Sequence, residues 1–223
     1  MPAELRQIIE GVLFVFAALL PIVNPFGGAP VFLAMTADCT PELRKSLARR
    51  VARNAFLLLL GAVFIGNYVL AFFGLSVPVV QVAGGLIVCA LGWDLLRQDS
   101  TVPDPAATVT GTPQDIATRA FYPLTLPLTV GPGTISVAIT IGANHSDGVR
   151  SLLVNSASEL IGVTAIAATI LVCYVYADRM LRALGPTGTS VLVRLSAFIL
   201  LCIGVQIFWN GASALVGSLP WAR

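Results

Sequence analysis

Charge is what this sequence has least of. Asp, Glu, Lys and Arg together make up 11% of 223 residues, against about a quarter in an ordinary soluble domain. With 57% hydrophobic residues and a mean hydropathy of +0.88, that deficit excludes a soluble globular chain. Histidine occurs once, at His145, in a short polar stretch with no cysteine beside it. The four cysteines, Cys39, Cys89, Cys173 and Cys202, lack CxxC or any other ligand spacing. Neither a metal site nor a disulfide framework is indicated, and the thiols read as small packing residues. A phosphate loop, a haem or nucleotide fingerprint and a nucleophile–base pairing are also missing. An enzyme is therefore disfavoured and no cofactor is called for.

What fills the chain is long apolar runs. A bilayer core of about 30 Å needs about 20 helical residues. Six runs reach or approach that length: Ile8–Met35, Val51–Phe73, Val77–Leu96, Phe121–Ile141, Leu152–Tyr176 and Leu192–Leu215. The expected fold is an all-α polytopic membrane protein. The first run carries Glu4 and Glu10 beside Arg6 and has no small-residue cleavage site after it, so it reads as a span rather than a signal peptide.

Cations are distributed unevenly. Ten of the thirteen fall on one side of this layout: Arg44, Lys45, Arg49, Arg50 and Arg53 after the first span, then Arg97, Arg119, Arg179, Arg182 and Arg194. The positive-inside rule puts those loops in the cytoplasm and both termini outside. The net charge of +2 reflects that basic loop, read as an orientation signal against anionic lipid rather than a nucleic-acid site.

Two of the runs are interrupted. Pro21-Ile22-Val23-Asn24-Pro25-Phe26-Gly27-Gly28-Ala29-Pro30 breaks the first, and Pro127-Leu128-Thr129-Val130-Gly131-Pro132-Gly133-Thr134 breaks the fourth. Pro132 stands 107 residues after Pro25. Prolines remove amide donors and glycines allow close backbone approach. Irregular backbone in a bilayer persists only where protein, water or ligand satisfies it. Leu20-Pro21 is expected to end or kink the first helix, and Asn24-Pro25 to restart it as N-cap and first-turn proline. Free amides near Phe26–Gly28 would then point into the break, and carbonyls near Leu20 and Leu126 would face it from the other side. A kink that merely lets helices pack closely is the structural alternative for either break alone.

The two halves match in other ways. Asn54 precedes Gly61 by seven residues, as Asn155 precedes Gly162, and three crossings per half impose opposite orientations. Together with the paired breaks this reads as two inverted three-helix repeats, residues 1–97 and 113–223, joined by a polar linker over residues 98–112. Such repeats place a binding site between broken helices near the membrane midplane. The candidate substrate contacts are Asn24, Pro25, Gly27, Gly28, Gly131, Pro132, Gly133 and Thr134. A polar network or coupling role falls to Asn54, Asn155, Glu159, Arg194 and Gln206. Glu159 lies inside the fifth span, where a carboxylate is costly unless paired, wet or protonated. Arg194 reads as interfacial, with a pairing to Glu159 or Asp178 as the sharper option, and Asp94 as snorkelling beside Arg97. Thr40-Pro41-Glu42 and Thr112-Pro113 are further helix starts.

These motifs resemble the MarC family of integral membrane proteins. The likeness rests on Pro21–Gly27, on Pro127–Ile135, on Val82-Ala83-Gly84-Gly85-Leu86-Ile87, on Gly204-Val205-Gln206 and on Asn210-Gly211, and it covers essentially the whole chain. Gln81 and Ser196-Ala197 depart from the family pattern. The resemblance implies an inner-membrane protein moving glycine, alanine or similar solutes. The absence of Lys or Arg near either break suits a zwitterion, and the glycines suit a small one. The implied partners are a small neutral amino acid, a coupling proton or Na+ and the lipid bilayer, with self-association left open. A pore-like facilitator, and an intramembrane enzyme or assembly factor, are the competing readings.

Overall fold

The computed structural model describes residues 3–97, 113–143 and 149–218. The linker 98–112 and the polar stretch around His145 lie outside them. Among the described residues the chain is entirely helical, and five helices are long and apolar enough to cross a membrane. A sixth span results when the bent pair Ile116–Thr129 and Pro132–Ala143 is taken as one.

Helix α1 (Ala3–Val23) reaches spanning length without help from α2 (Pro25–Met35). Of the two outcomes expected at Pro21, an end or a kink, the end is not seen: α1 runs on to Val23. A proline removes the bond its own amide would have made, here to Ala17, and its ring crowds that carbonyl, but the bonds on either side can persist. Leu20 keeps its carbonyl partner, the Asn24 amide at 2.9 Å. The break falls instead at Asn24, in the left-handed region at φ 45°, ψ 55°.

Helix α3 (Pro41–Phe72) opens at the expected start signal, with the Thr40 hydroxyl accepting from the Leu43 amide at 3.3 Å. Its 32 residues give about 48 Å, so its basic first turns extend beyond the bilayer core. Gly74, at φ 68°, makes the tight return to α4 (Val77–Arg97), which brings Arg97 back to the basic end.

The second half starts with α5 (Pro113–Arg119), followed by a π-helical segment, Ala120–Thr129. The sequence suggested a half-helix ending near Leu126; the backbone is irregular well before that. Each residue preceding a proline is pushed out of the α region. Tyr122, before Pro123, sits at φ −125°, ψ 124°, and Leu126, before Pro127, at φ −108°, ψ 128°. After Gly131 the chain restarts as α6 (Pro132–Ala143), bent 71° from what precedes it. Helices α7 (Val149–Val175) and α8 (Ala177–Gly217, kinked at Gly185) complete the order.

The core lies between α3 and α7, where Leu59, Val63, Val163, Ile166 and Ile170 are sealed from the surroundings. Helix α1 packs on α7, and Ala120–Thr129 on α3; α2 packs on α8 and α6 on α4. The closest pairing is α4 with α8. Gly85 and Gly92 on one, Gly204 and Gly211 on the other, leave room for nothing larger: a methyl at any of them would come within 2.4 to 2.7 Å of facing backbone atoms. Small residues allow this approach where lipid supplies no hydrophobic drive between helices. The outward faces are apolar, with Leu13, Phe14, Ile65, Phe72, Phe198 and Trp209 all exposed, as a surface solvated by lipid requires.

Candidate functional site at the paired breaks

Both interruptions border one half-open cavity of about 400 Å³. Asn24, Gly27 and Gly28 reach it from the first break, Gly131, Gly133 and Thr134 from the second. Six of the eight sequence candidates are thus brought together. Pro25, which is buried, and Pro132, which is exposed, are not part of the lining. Among its lining residues the one ionisable side chain is Asp94. It is exposed there, close to Arg97 in the chain, so a place on the cavity wall and the expected snorkelling are compatible.

The two breaks handle their backbone groups differently. At the first, Asn24 Oδ1 accepts from the Gly27 amide at 3.1 Å and the Asn24 carbonyl accepts from the Gly28 amide at 2.8 Å. Of the amides expected to point freely into the break, those of Gly27 and Gly28 are therefore spent, because an Asn N-cap serves the first turn from its own side chain. The Leu20 carbonyl is likewise occupied by the Asn24 amide. Leu126 lies in extended backbone rather than at a helix end.

At the second break hydroxyls do the satisfying. Thr125 Oγ1 donates to the Ala120 carbonyl at 2.6 Å, and Thr129 Oγ1 to the Leu124 carbonyl at 2.7 Å. The Val130 amide reaches the Thr125 carbonyl at 2.8 Å. Thr125, Thr129, Thr134 and Ser136 are all buried, which is how irregular backbone stays tolerable at membrane depth. Helix α6 has glycine, not asparagine, in the capping position. Among the described residues nothing accepts from the Gly133 or Thr134 amide. Both residues border the cavity, so the positive end of α6 faces it uncapped.

Tyr174 holds the breaks in register. Its ring, fully buried, stacks on Phe32 of α2 at 4.5 Å between centroids. Its hydroxyl lies 2.9 Å from Thr129 Oγ1. Because the Thr129 proton is committed to Leu124, the phenol is the donor. A methyl on Gly28 would come within 2.8 Å of the same hydroxyl. Sequence reading passed over Tyr174. Its signal was a phenol inside a span, which must find a partner when buried.

A second tie crosses the halves at the basic end. Arg119 grips Asp38 with both arms, Nη1 to Oδ2 at 2.8 Å and Nη2 to Oδ1 at 2.9 Å, and also donates to the Met35 carbonyl. Arg44 caps the same helix end, with Nη2 donating to the Thr36 carbonyl at 2.9 Å. The Arg119 guanidinium holds the Asp38 carboxyl below the usual carboxylate range. Met35 borders the cavity, so this clasp fixes its basic rim. A pairing across 81 residues carries no local sequence signal.

The remaining candidates are dispersed. Asn54 and Asn155 are half-buried on α3 and α7, and no hydrogen bond joins either side chain to another described residue. Gly61 faces open space while Gly162 packs on Val15, so their shared spacing serves different ends. Glu159 is buried at 5% exposure on α7 and is not part of the cavity lining. Arg194 is exposed, and Asp178 pairs with Arg182 at 2.5 Å instead. Gln206 is exposed and donates to Asn210 at 2.8 Å.

Comparison with known proteins agrees with the motif likeness. The model of the MarC family of integral membrane proteins matches residues 9–216. Membrane protein YvbG of Bacillus subtilis is 27% identical over 92% of this chain and 95% of its own length. A membrane protein of Archaeoglobus fulgidus is 28% identical over 92% and 93%. The inner membrane protein MarC of Salmonella typhimurium is 29% identical over 89% and 92%. No solved structure matches. A polytopic helical chain matched over nearly its whole length in this way belongs to the MarC family of integral membrane proteins.

Proposed function

We propose that the chain is a secondary transporter or exporter of small neutral amino acids, of the glycine and alanine class, in the cytoplasmic (inner) membrane. The observation that carries this reading is the convergence of both broken helices on one cavity. Its volume of about 400 Å³ lies near the lower limit for ligand pockets, roughly 300 Å³, which favours a small solute. The uncapped start of α6 suits a carboxylate, and Asp94 on the same wall suits an ammonium. A zwitterion satisfies both at once.

The packing pattern supports two inverted repeats. Helix α1 on α7 answers Ala120–Thr129 on α3, α2 on α8 answers α6 on α4, and α3–α7 and α4–α8 each join a helix to its own counterpart. A two-fold axis in the membrane plane relates elements in this way. The cation bias orients the basic end to the cytoplasm and both termini outside. Glu159, an ionisable group buried in a span, is the candidate for proton coupling.

The test is counterflow in proteoliposomes with labelled glycine, alanine, serine, leucine, lysine and glutamate. Saturable exchange of the small neutral members, and little of the charged ones, is expected. Correctly inserted protein that exchanges no neutral amino acid would overturn the proposal.

A further inference from the structure

A second cavity, of about 290 Å³, lies at the end opposite Arg44–Arg53, between α1, α4, α6 and α8. Its polar lining comes from Gln81, Thr140 and Asn210. Gln81 Nε2 donates to Thr140 Oγ1 at 3.3 Å, and Thr140 passes its proton to the Ser136 carbonyl at 2.9 Å. Ala17 and Pro21 also border it. Their carbonyls are the two that Pro21 and Pro25, lacking amides, leave without helical donors. The lining is uncharged and mostly apolar, with the acceptors and amide donors of Gln81, Thr140 and Asn210 as its polar points.

One apolar cluster, Ile22, Val88, Leu200 and Ile207, lies between this cavity and the one at the breaks. Val88 and Leu200 border the cavity at the breaks, Ile207 borders the second, and Ile22 borders both. At Ile22 the wall is one side chain thick. That residue stands two positions before the left-handed turn at Asn24. An apolar constriction sheds water and stops polar solutes without a rigid plug.

We infer that the second cavity is the far station of the solute path, taking the same small zwitterion, and that Ile22 is the gate between the stations. The identity of the solute rests on the transport reading; the wall does not. The test uses the full chain with Cys39, Cys89, Cys173 and Cys202 replaced by alanine and Thr140→Cys introduced, in oriented proteoliposomes exposed to an impermeant thiol reagent. With Ile22 present, labelling is expected only from the end opposite Arg44–Arg53. Ile22→Ser should speed labelling from the basic end by about tenfold, because a hydroxyl wets the constriction, while Ile22→Leu keeps it closed. Ile207→Ser, on the same wall, should act likewise if Ile22→Ser does not insert. Saturating glycine should slow labelling of Thr140→Cys. Labelling from the basic end with Ile22 intact, or no change with either serine, would overturn the gate. Absence of protection by glycine would overturn the station. If the gate behaves as expected while the unaltered chain exchanges no amino acid, the transport reading fails and the gate stands.

Discussion

The two breaks solve one problem with opposite materials. At the first, a single residue turns the chain and serves it: Asn24 takes a left-handed conformation, caps Gly27 and satisfies Gly28 and Leu20. At the second, the interruption extends from Ala120 to Gly131, its carbonyls are covered by threonine hydroxyls, and the start of α6 is left uncapped. The difference lies in who uses the backbone groups. The first break caps itself from Asn24 and is a sharp one-residue hinge in the backbone geometry. The second keeps two amides facing the cavity, where a carboxylate can take them. Similar Pro and Gly content in the two stretches conceals this division of labour.

The largest effect should come from filling the second break. A Cβ at Gly133 would fall 1.9 Å from Val88 Cγ2 and 3.3 Å from the Gly84 carbonyl. Gly133→Val should abolish exchange while inserted protein remains, as measured by initial counterflow rates, and adding Val88→Ala should restore part of it. Exchange at the unaltered rate would separate the cavity from transport.

A subtler change would convert the second break into the first. Gly131 has room for a side chain, its nearest contact being the Pro127 carbonyl at 3.4 Å. Gly131→Asn should offer its Oδ1 as an acceptor to the open amides and compete with the substrate carboxylate. The apparent KM should rise about tenfold, equivalent to about 1.4 kcal/mol, with no loss of thermal stability, whereas Gly131→Ala should change it little. An unchanged KM for the asparagine variant would mean that those amides do not meet the substrate.

The hinge should answer in stability rather than in exchange. Asn24→Ala loses the cap, worth about 1 kcal/mol, and forces a Cβ into the left-handed region, at a further 1–2 kcal/mol or about that. Asn24→Gly keeps the conformation and should cost only about a few tenths of a kcal/mol. Thermal unfolding in detergent should therefore rank alanine well below glycine. Equal losses would show that capping, not backbone conformation, governs the hinge.

Local chemistry made part of this legible. Asn followed by Pro announces a cap and a first helical turn whatever surrounds it, and α2 starts there; Thr40-Pro41 did the same for α3. The failures are also local in origin. Pro21 was expected to end or kink the helix, and of these two outcomes the ending is not seen, since α1 runs on to Val23. Pro123 and Pro127 were not read as pushing Tyr122 and Leu126 out of the α region, so a regular half-helix was expected where the backbone is irregular. Gly61 and Gly162 show that equal spacing does not impose equal surroundings.

The sequence by itself determined the solvent, since so little charge and such long apolar runs leave only a bilayer, and it determined which two stretches interrupt the helices. Which residues meet was decided by the tertiary structure. Asp38 and Arg119, Tyr174 and Thr129, and Asn24 and Thr134 are each far apart in the chain. Contacts between separate helices depend on how whole faces dock, and the composition of one helix does not specify its neighbour. The share of backbone donors left for a ligand was settled there too, because an amide is free only after every nearby acceptor has taken its place.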